Sequence, residues 1–142
     1  MSILTSTNKP KDISTDSGGY SDLDLTFKAH PITGDLMINT GNLSVTKAMK
    51  NLLLTNHYEK LFSPNYGSNI NKLLFEPMTP FTASTLSSEI TYTIRNYEPR
   101  VTLSKVDVIA DYDNNAYQVS IEYYIKNLIE PFTLNFLLNR LR

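Results

Sequence analysis

Cysteine and tryptophan are both absent from the 142-residue chain. Without cysteine there are no disulfides, no thiolate metal ligands and no thiol nucleophile, a composition at home in a reducing compartment. Charge is scarce as well: Asp, Glu, Lys and Arg make up 19% of the residues, against the usual ~25%. Neither sign dominates. The net charge is −1, divided as 0 over residues 1–71 and −1 over the remainder, so no basic stripe is available for nucleic acid or an anionic membrane surface. No aliphatic run is longer than Leu52-Leu53-Leu54, far short of the ~20 apolar residues that cross a bilayer. The opening Met1-Ser2-Ile3-Leu4-Thr5-Ser6 lacks the basic-then-apolar order of a signal peptide.

What fills the space is short neutral polar side chains, 13 Ser, 15 Thr and 14 Asn, beside 41% hydrophobic residues. That is enough apolar content for one core, and the length suits one domain. Residues 1–19 are expected to be a disordered arm: Ser, Thr, Lys and Asp dominate, and only Ile3, Leu4 and Ile13 offer burial. The folded domain is expected over 20–142.

Within it, Leu23, Leu25 and Phe27 alternate with polar residues and read as a strand. A turn over Pro31–Asp35 returns the chain to a second short strand at Leu36 and Ile38. Val45, Ala48, Met49, Leu52 and Leu53 then share one helical face, with Ser44 as the expected N-cap. Pro64–Gly67 breaks the chain. Ser68 or Asn69 caps a short helix through Ile70, Leu73 and Leu74 that must stop near Pro77. Thr79-Pro80 opens a long helix with the stripe Ala83, Leu86, Ile90, Ile94 and Tyr97, ending at Glu98-Pro99. Val101 and Leu103, then Val106 and Val108, alternate with a phase slip at Lys105 that predicts a bulge. Asp113-Asn114-Asn115 signals a hairpin, and two strands follow, Tyr117–Ile125 and Phe132–Leu138. The order β-β-α-α-α-β-β-β predicts an α+β fold whose mixed or antiparallel sheet is packed by helices.

Chemistry is hard to find in the residues. His30 and His57 lack ligand-spaced partners, and no phosphate loop, dinucleotide fingerprint or nucleophile elbow occurs. Asp22 and Asp24 have no third carboxylate at loop spacing and read as solvated, so no metal, cofactor or catalytic residue is assigned. Glu59, Glu76, Glu98, Glu122 and Glu130 could serve a glycosidase by type alone, which needs two carboxylates facing each other across a cleft. Glu98-Pro99-Arg100 stands apart because proline ends the helix there. Its Glu and Arg can fork together, or each can reach a partner.

Thr55, Glu59, Pro64, Tyr66-Gly67, Leu74-Phe75-Glu76-Pro77 and Glu98-Pro99-Arg100 occur in this order at close spacing. The set resembles the baseplate wedge family of contractile-tailed phages, which includes GPW-type phage proteins and the TssE component of type VI secretion. The resemblance spans roughly Tyr20 to Ile125. Two departures stand out: Asn56-His57-Tyr58 where the family often has Pro-Gly, and Lys60 where Arg is common.

The resemblance implies a sheath initiator. Six copies would ring the tube at the top of the baseplate, in a virion tail assembled in the host cytoplasm. Partners would be the other wedge proteins and the tail sheath, with no nucleic acid and no membrane. Glu98, Pro99 and Arg100 would anchor the wedge neighbours, with Arg100→Ala expected to weaken assembly while sparing the isolated fold. The first sheath disc would dock by sharing strands, for which the last strand, with Phe132, Leu134, Asn135, Phe136 and Leu137, is the expected acceptor. Some members carry a lysozyme-like label, so a peptidoglycan-cleaving glycosidase is the alternative to a non-enzymatic structural protein.

Overall fold

The computed structural model describes residues 19–126 and 128–140. The expected N-terminal arm, Gly19 apart, lies outside the described residues. Eight elements follow in the expected order: β1 (Ser21–Leu23), β2 (Ile38–Thr40), α1 (Gly41–Leu54), α2 (Ile70–Leu73), α3 (Pro80–Tyr97), β3 (Val101–Asp111), β4 (Ala116–Ile125) and β5 (Pro131–Asn139). The fold is α+β. Its two sheets are antiparallel throughout, a ribbon of β1 and β2 and a three-stranded sheet ordered β3-β4-β5.

α3 forms as its sequence dictates. Thr79 accepts a hydrogen bond from the Thr82 N–H at 3.1 Å, Pro80 takes the first helical position, and Leu86, Ile90 and Ile94 are fully buried. On β4 every second residue, Tyr117, Val119, Ile121, Tyr123 and Ile125, is buried against them. Val45, Met49 and Leu53 of α1 join the same cluster, so α1 and α3 cover one face of the sheet. Thr46 on α1 and the Tyr123 hydroxyl lie 2.7 Å apart within this layer. The predicted bulge is present as a register shift between Leu103 and Lys105, and the Asp113-Asn114-Asn115 hairpin joins β3 to β4.

The N-terminal ribbon departs from expectation. The strand predicted through Phe27 stops at Leu23, because the Asp24 side chain accepts the Thr26 N–H at 3.0 Å and the Phe27 N–H bonds back to the Asp24 carbonyl at 3.1 Å. Leu36 makes only an isolated bridge to Ala29. The faces are inverted as well. Leu23 and Ile38 are exposed, whereas Asn39 is buried and Asp22 half-buried. Ser44 does not cap α1: the helix starts three residues earlier, at Gly41, and the Ser44 hydroxyl is buried inside it. α2 ends at Leu73, before Pro77 forces it to.

The loop between α1 and α2 is bound tightly despite its departures from the family pattern. Glu59 accepts the Asn56 N–H at 2.8 Å and the Asn56 side-chain amide at 2.6 Å. Lys60 sits 3.9 Å above the Tyr66 ring, a cation–π contact that needs only the charge and not the guanidinium plane. Gly67 has a φ of +113°, and a Cβ there would stand 2.5 Å from the Thr55 carbonyl oxygen. Gly67→Ala should therefore cost about 1–3 kcal/mol, read as a lower urea midpoint with an unchanged slope; an unchanged midpoint would show that this loop can give way.

Candidate functional site

Glu98 is the C-cap of α3. Its N–H bonds the Ile94 carbonyl at 2.9 Å, and Pro99 prevents the helix from continuing. The turn leads straight into β3, where the Arg100 carbonyl accepts the Lys126 N–H at 2.9 Å. A helix end and a strand start thus fix the backbone on both sides of Pro99. The Glu98 carboxylate is left with 7% of its side chain accessible, a position in which a bare charge would be very costly.

Arg100 supplies the counter-charge as a fork. Its Nε donates to Glu98 Oε1 at 2.7 Å and one terminal nitrogen to Oε2 at 2.8 Å. The other terminal nitrogen donates to Asp22 Oδ2 at 3.1 Å, and that oxygen also accepts the Ser44 hydroxyl at 2.7 Å. The Tyr20 ring lies 5.6 Å from the guanidinium carbon. The Glu98 fork, chiefly, raises the Arg100 pKa well above its ordinary value. Burial pushes Asp22 upward, but the Ser44 hydroxyl and Arg100 outweigh it and leave the carboxyl below its ordinary value. Beside this network Lys47 reaches Asp24 at 3.2 Å and Asn39 at 2.9 Å. Asp24 is lowered by the Thr26 N–H first and by Lys47 second.

These groups line one cleft of about 880 Å³, walled by Leu23, Leu25, Ala48, Tyr66, Tyr97 and Pro99. Tyr66 and Tyr97 meet edge to face at 5.4 Å, and the Tyr97 hydroxyl donates to the Asn65 carbonyl. Burial, then the Glu98 charge, raises the Tyr66 phenol. Asp22, which reads from sequence as solvated, is thus an internal ligand of Arg100. Ser44, Lys47, Tyr66 and Tyr97 are also part of the site; Tyr66 belongs to the set that carries the family resemblance, whereas Ser44 and Tyr97 read from sequence only as a helix cap and a core position, and nothing marks Lys47. Among the described residues no three His, Asp or Glu side chains converge as a metal site requires.

The strand residues Phe132, Leu134, Asn135, Phe136 and Leu137 do not line the cleft. Leu134 is buried, Phe132 and Phe136 pack against the core, and Asn135 and Leu137 face solvent. The register pairs Ala116 with Asn139 and Tyr117 with Leu138, and the Arg140 N–H bonds the Asn115 carbonyl at 3.0 Å. Antiparallel alternation then turns the amides of Phe132, Leu134, Phe136 and Leu138 toward β4. Those of Thr133, Asn135, Leu137 and Asn139 point away from it, along an edge that no other described strand pairs.

Residues 39–128 match the family described as baseplate wedge protein gp25. The baseplate wedge protein gp25 of Enterobacteria phage T4 is 33% identical over 106 residues, covering 75% of this chain and 80% of that protein. A chain in the 6-fold symmetrised baseplate of the anti-feeding prophage superposes with a TM-score of 0.68 at 21% identity, over 78% of this chain and 89% of that one. A protein of Geobacter sulfurreducens, provisionally named a tail lysozyme, gives 0.69 at 18% identity, over 75% of this chain and 97% of that one. At such identities these two structures speak for the fold.

Because Arg100 is spent within the chain, Arg100→Ala should weaken the fold itself, where the resemblance led to the expectation that the isolated fold would be spared. Leaving Glu98 buried and unpaired should cost about 3–5 kcal/mol, and adding Glu98→Gln should return part of it; strictly additive losses in urea denaturation would contradict the fork. The lowered Asp22 pKa has a definite sign. Its contribution to stability is complete above the ordinary carboxyl value of 3.8 and is lost as pH falls through the folded value. Asp22→Asn should accordingly flatten the acid limb of a stability profile below that pH, and an unaltered limb would count against the contact.

Proposed function

Since the chain belongs to the gp25 family of baseplate wedge proteins, we propose that it is a structural wedge component of a contractile tail that starts the sheath by accepting a strand at β5. Wedge membership follows from the family. Sheath initiation, anchoring through Glu98-Pro99-Arg100 and a six-copy ring are our reading. The single observation that carries the reading is the β5 edge. Thr133, Asn135, Leu137 and Asn139 present their outward amides in a row, and no charged residue occurs between Pro131 and Asn139 to repel an incoming strand. An added strand would draw affinity from backbone bonds and register from alternate side chains. The ring finds support in the anti-feeding prophage relative, whose baseplate is 6-fold.

In this reading the corner at Glu98-Pro99-Arg100 anchors as a preset shape. Its charges are hydrogen-bonded to one another, so a wedge neighbour meets a cleft of apolar walls around a network whose groups are already paired. That lowers the desolvation cost of docking compared with bringing two free charges together. The partners are the other wedge proteins and the tail sheath, in a virion tail built in the host cytoplasm.

The name of the Geobacter sulfurreducens protein favours the glycosidase alternative, but the cleft chemistry runs against it. A glycosidase acid needs a raised pKa. Asp22 and Asp24 are both held below the ordinary range, and both Glu98 oxygens are occupied by Arg100. We read the protein as non-enzymatic.

Asn135→Pro and Leu137→Pro each remove an outward N–H and leave the β4 ladder whole, an edge setting in which a strand accepts proline. Each lost bond, with the ring clash, should cost over ~1 kcal/mol per added strand. Such chains should fold and join baseplates, yet leave nearly all of them without sheath in electron micrographs. Normal sheath on either variant would sink strand addition.

A further inference from the structure

The order β3-β4-β5 leaves two strands outermost, and their edges are built differently. β4 turns its odd-numbered amides to β5, so its even-numbered ones serve β3. Lys105, Asp107, Ile109 and Asp111, opposite Glu122, Ser120, Gln118 and Ala116, therefore bond inward. Val106, Val108 and Ala110 turn their N–H and C=O groups to the outside. The Ser87 hydroxyl of α3 donates to the Val106 carbonyl at 3.0 Å, which agrees with that parity and occupies the first open acceptor.

Two further features blunt this edge. The register shift between Leu103 and Lys105 twists the strand just before Val106. Lys105 and Asp107 pair at 2.6 Å, setting two charges beside it. Beyond Ser87, Pro80, Ala83 and Ser84 of α3 flank Val108 and Ala110 across an open groove of about 520 Å³. β5 has none of these. Its pairing runs without a shift from Pro131 to Asn139, its residues are uncharged, and no side chain among the described residues bonds its outward carbonyls.

We propose that α3 closes the β3 edge through Ser87, with the bulge and the Lys105–Asp107 pair as secondary guards, and so makes the sheet an acceptor on β5 alone; this rests on the strand-addition reading. The consequence is stoichiometric. A sheet open at both edges can be extended on both sides, and copies meeting edge to edge can propagate into chains. A sheet open at one edge takes a single added strand and stops.

The cysteine-free chain offers clean probes. Ile109→Cys and Leu137→Cys put one thiol near the middle of each edge, at side chains 63% and 62% exposed. Under mild oxidation of the full chain at high concentration, Leu137→Cys should form disulfide-linked dimers and Ile109→Cys almost none. Adding Ser87→Ala to Ile109→Cys should raise dimer yield severalfold with an unchanged circular dichroism spectrum. Ser87→Thr, which keeps the hydroxyl, should hold the yield low. Ile109→Cys dimers as abundant with Ser87 as with alanine would overturn the proposal. Strand addition itself is decided separately by the proline variants: sheath growth on Leu137→Pro baseplates would remove that reading whatever Ser87 does to β3.

Discussion

A carboxylate buried where a helix ends and a strand begins needs a cation that cannot leave. Glu98 is that carboxylate, and Arg100, two residues on, is that cation. Pro99 between them stops α3 and limits the backbone, so the fork closes with little further loss of freedom. Because the guanidinium has five donors in a plane, it can hold both Glu98 oxygens and still reach Asp22. The ribbon of β1 and β2 is drawn onto α1 at this point, through Ser44. A two-stranded ribbon is marginal alone; here its polar face is turned inward to complete the network, and Leu23 and Ile38 are left exposed as a result.

The same corner sets the sheet. α3 leaves it along β3, close enough for Ser87 to bond a β3 edge carbonyl. β5 lies at the far side of β4, and among the described residues no helix side chain hydrogen-bonds it. One edge is thus closed by the geometry that buries the core, and the other stays open. In the proposed reading, anchoring and strand acceptance fall to different parts of one domain, the cleft at Glu98-Pro99-Arg100 and the β5 edge. That division suits a protein held by a baseplate on one side and extended by another chain on the other.

Much of this was legible in the residues. The Thr79-Pro80 cap, the stripe from Leu86 to Ile94, the slip at Lys105 and the alternation of Tyr117 to Ile125 are local signals, each tied to one backbone geometry, and each is present. The ribbon was not legible. Period two announces two faces but does not say which one meets a polar network, and the partners of Asp22 lie 22 and 78 residues away. Ser44 misleads for a related reason: a hydroxyl near a helix start suits a cap, but a contact from β1 claims it. The Glu98–Arg100 fork could be foreseen from spacing as one of two options. Its third member could not, and neither could Ser87, whose hydroxyl gains its role only from the strand that passes it.

The central claim is that the β5 edge receives a strand when the sheath starts. Amide hydrogen exchange, followed residue by residue in the free chain and in sheathed baseplates, addresses it directly. Thr133, Asn135, Leu137 and Asn139 should exchange fast in the free chain and become strongly protected under sheath, while Leu134, Phe136 and Leu138 are protected in both. Fast exchange at all four outward amides in sheathed baseplates would contradict the account.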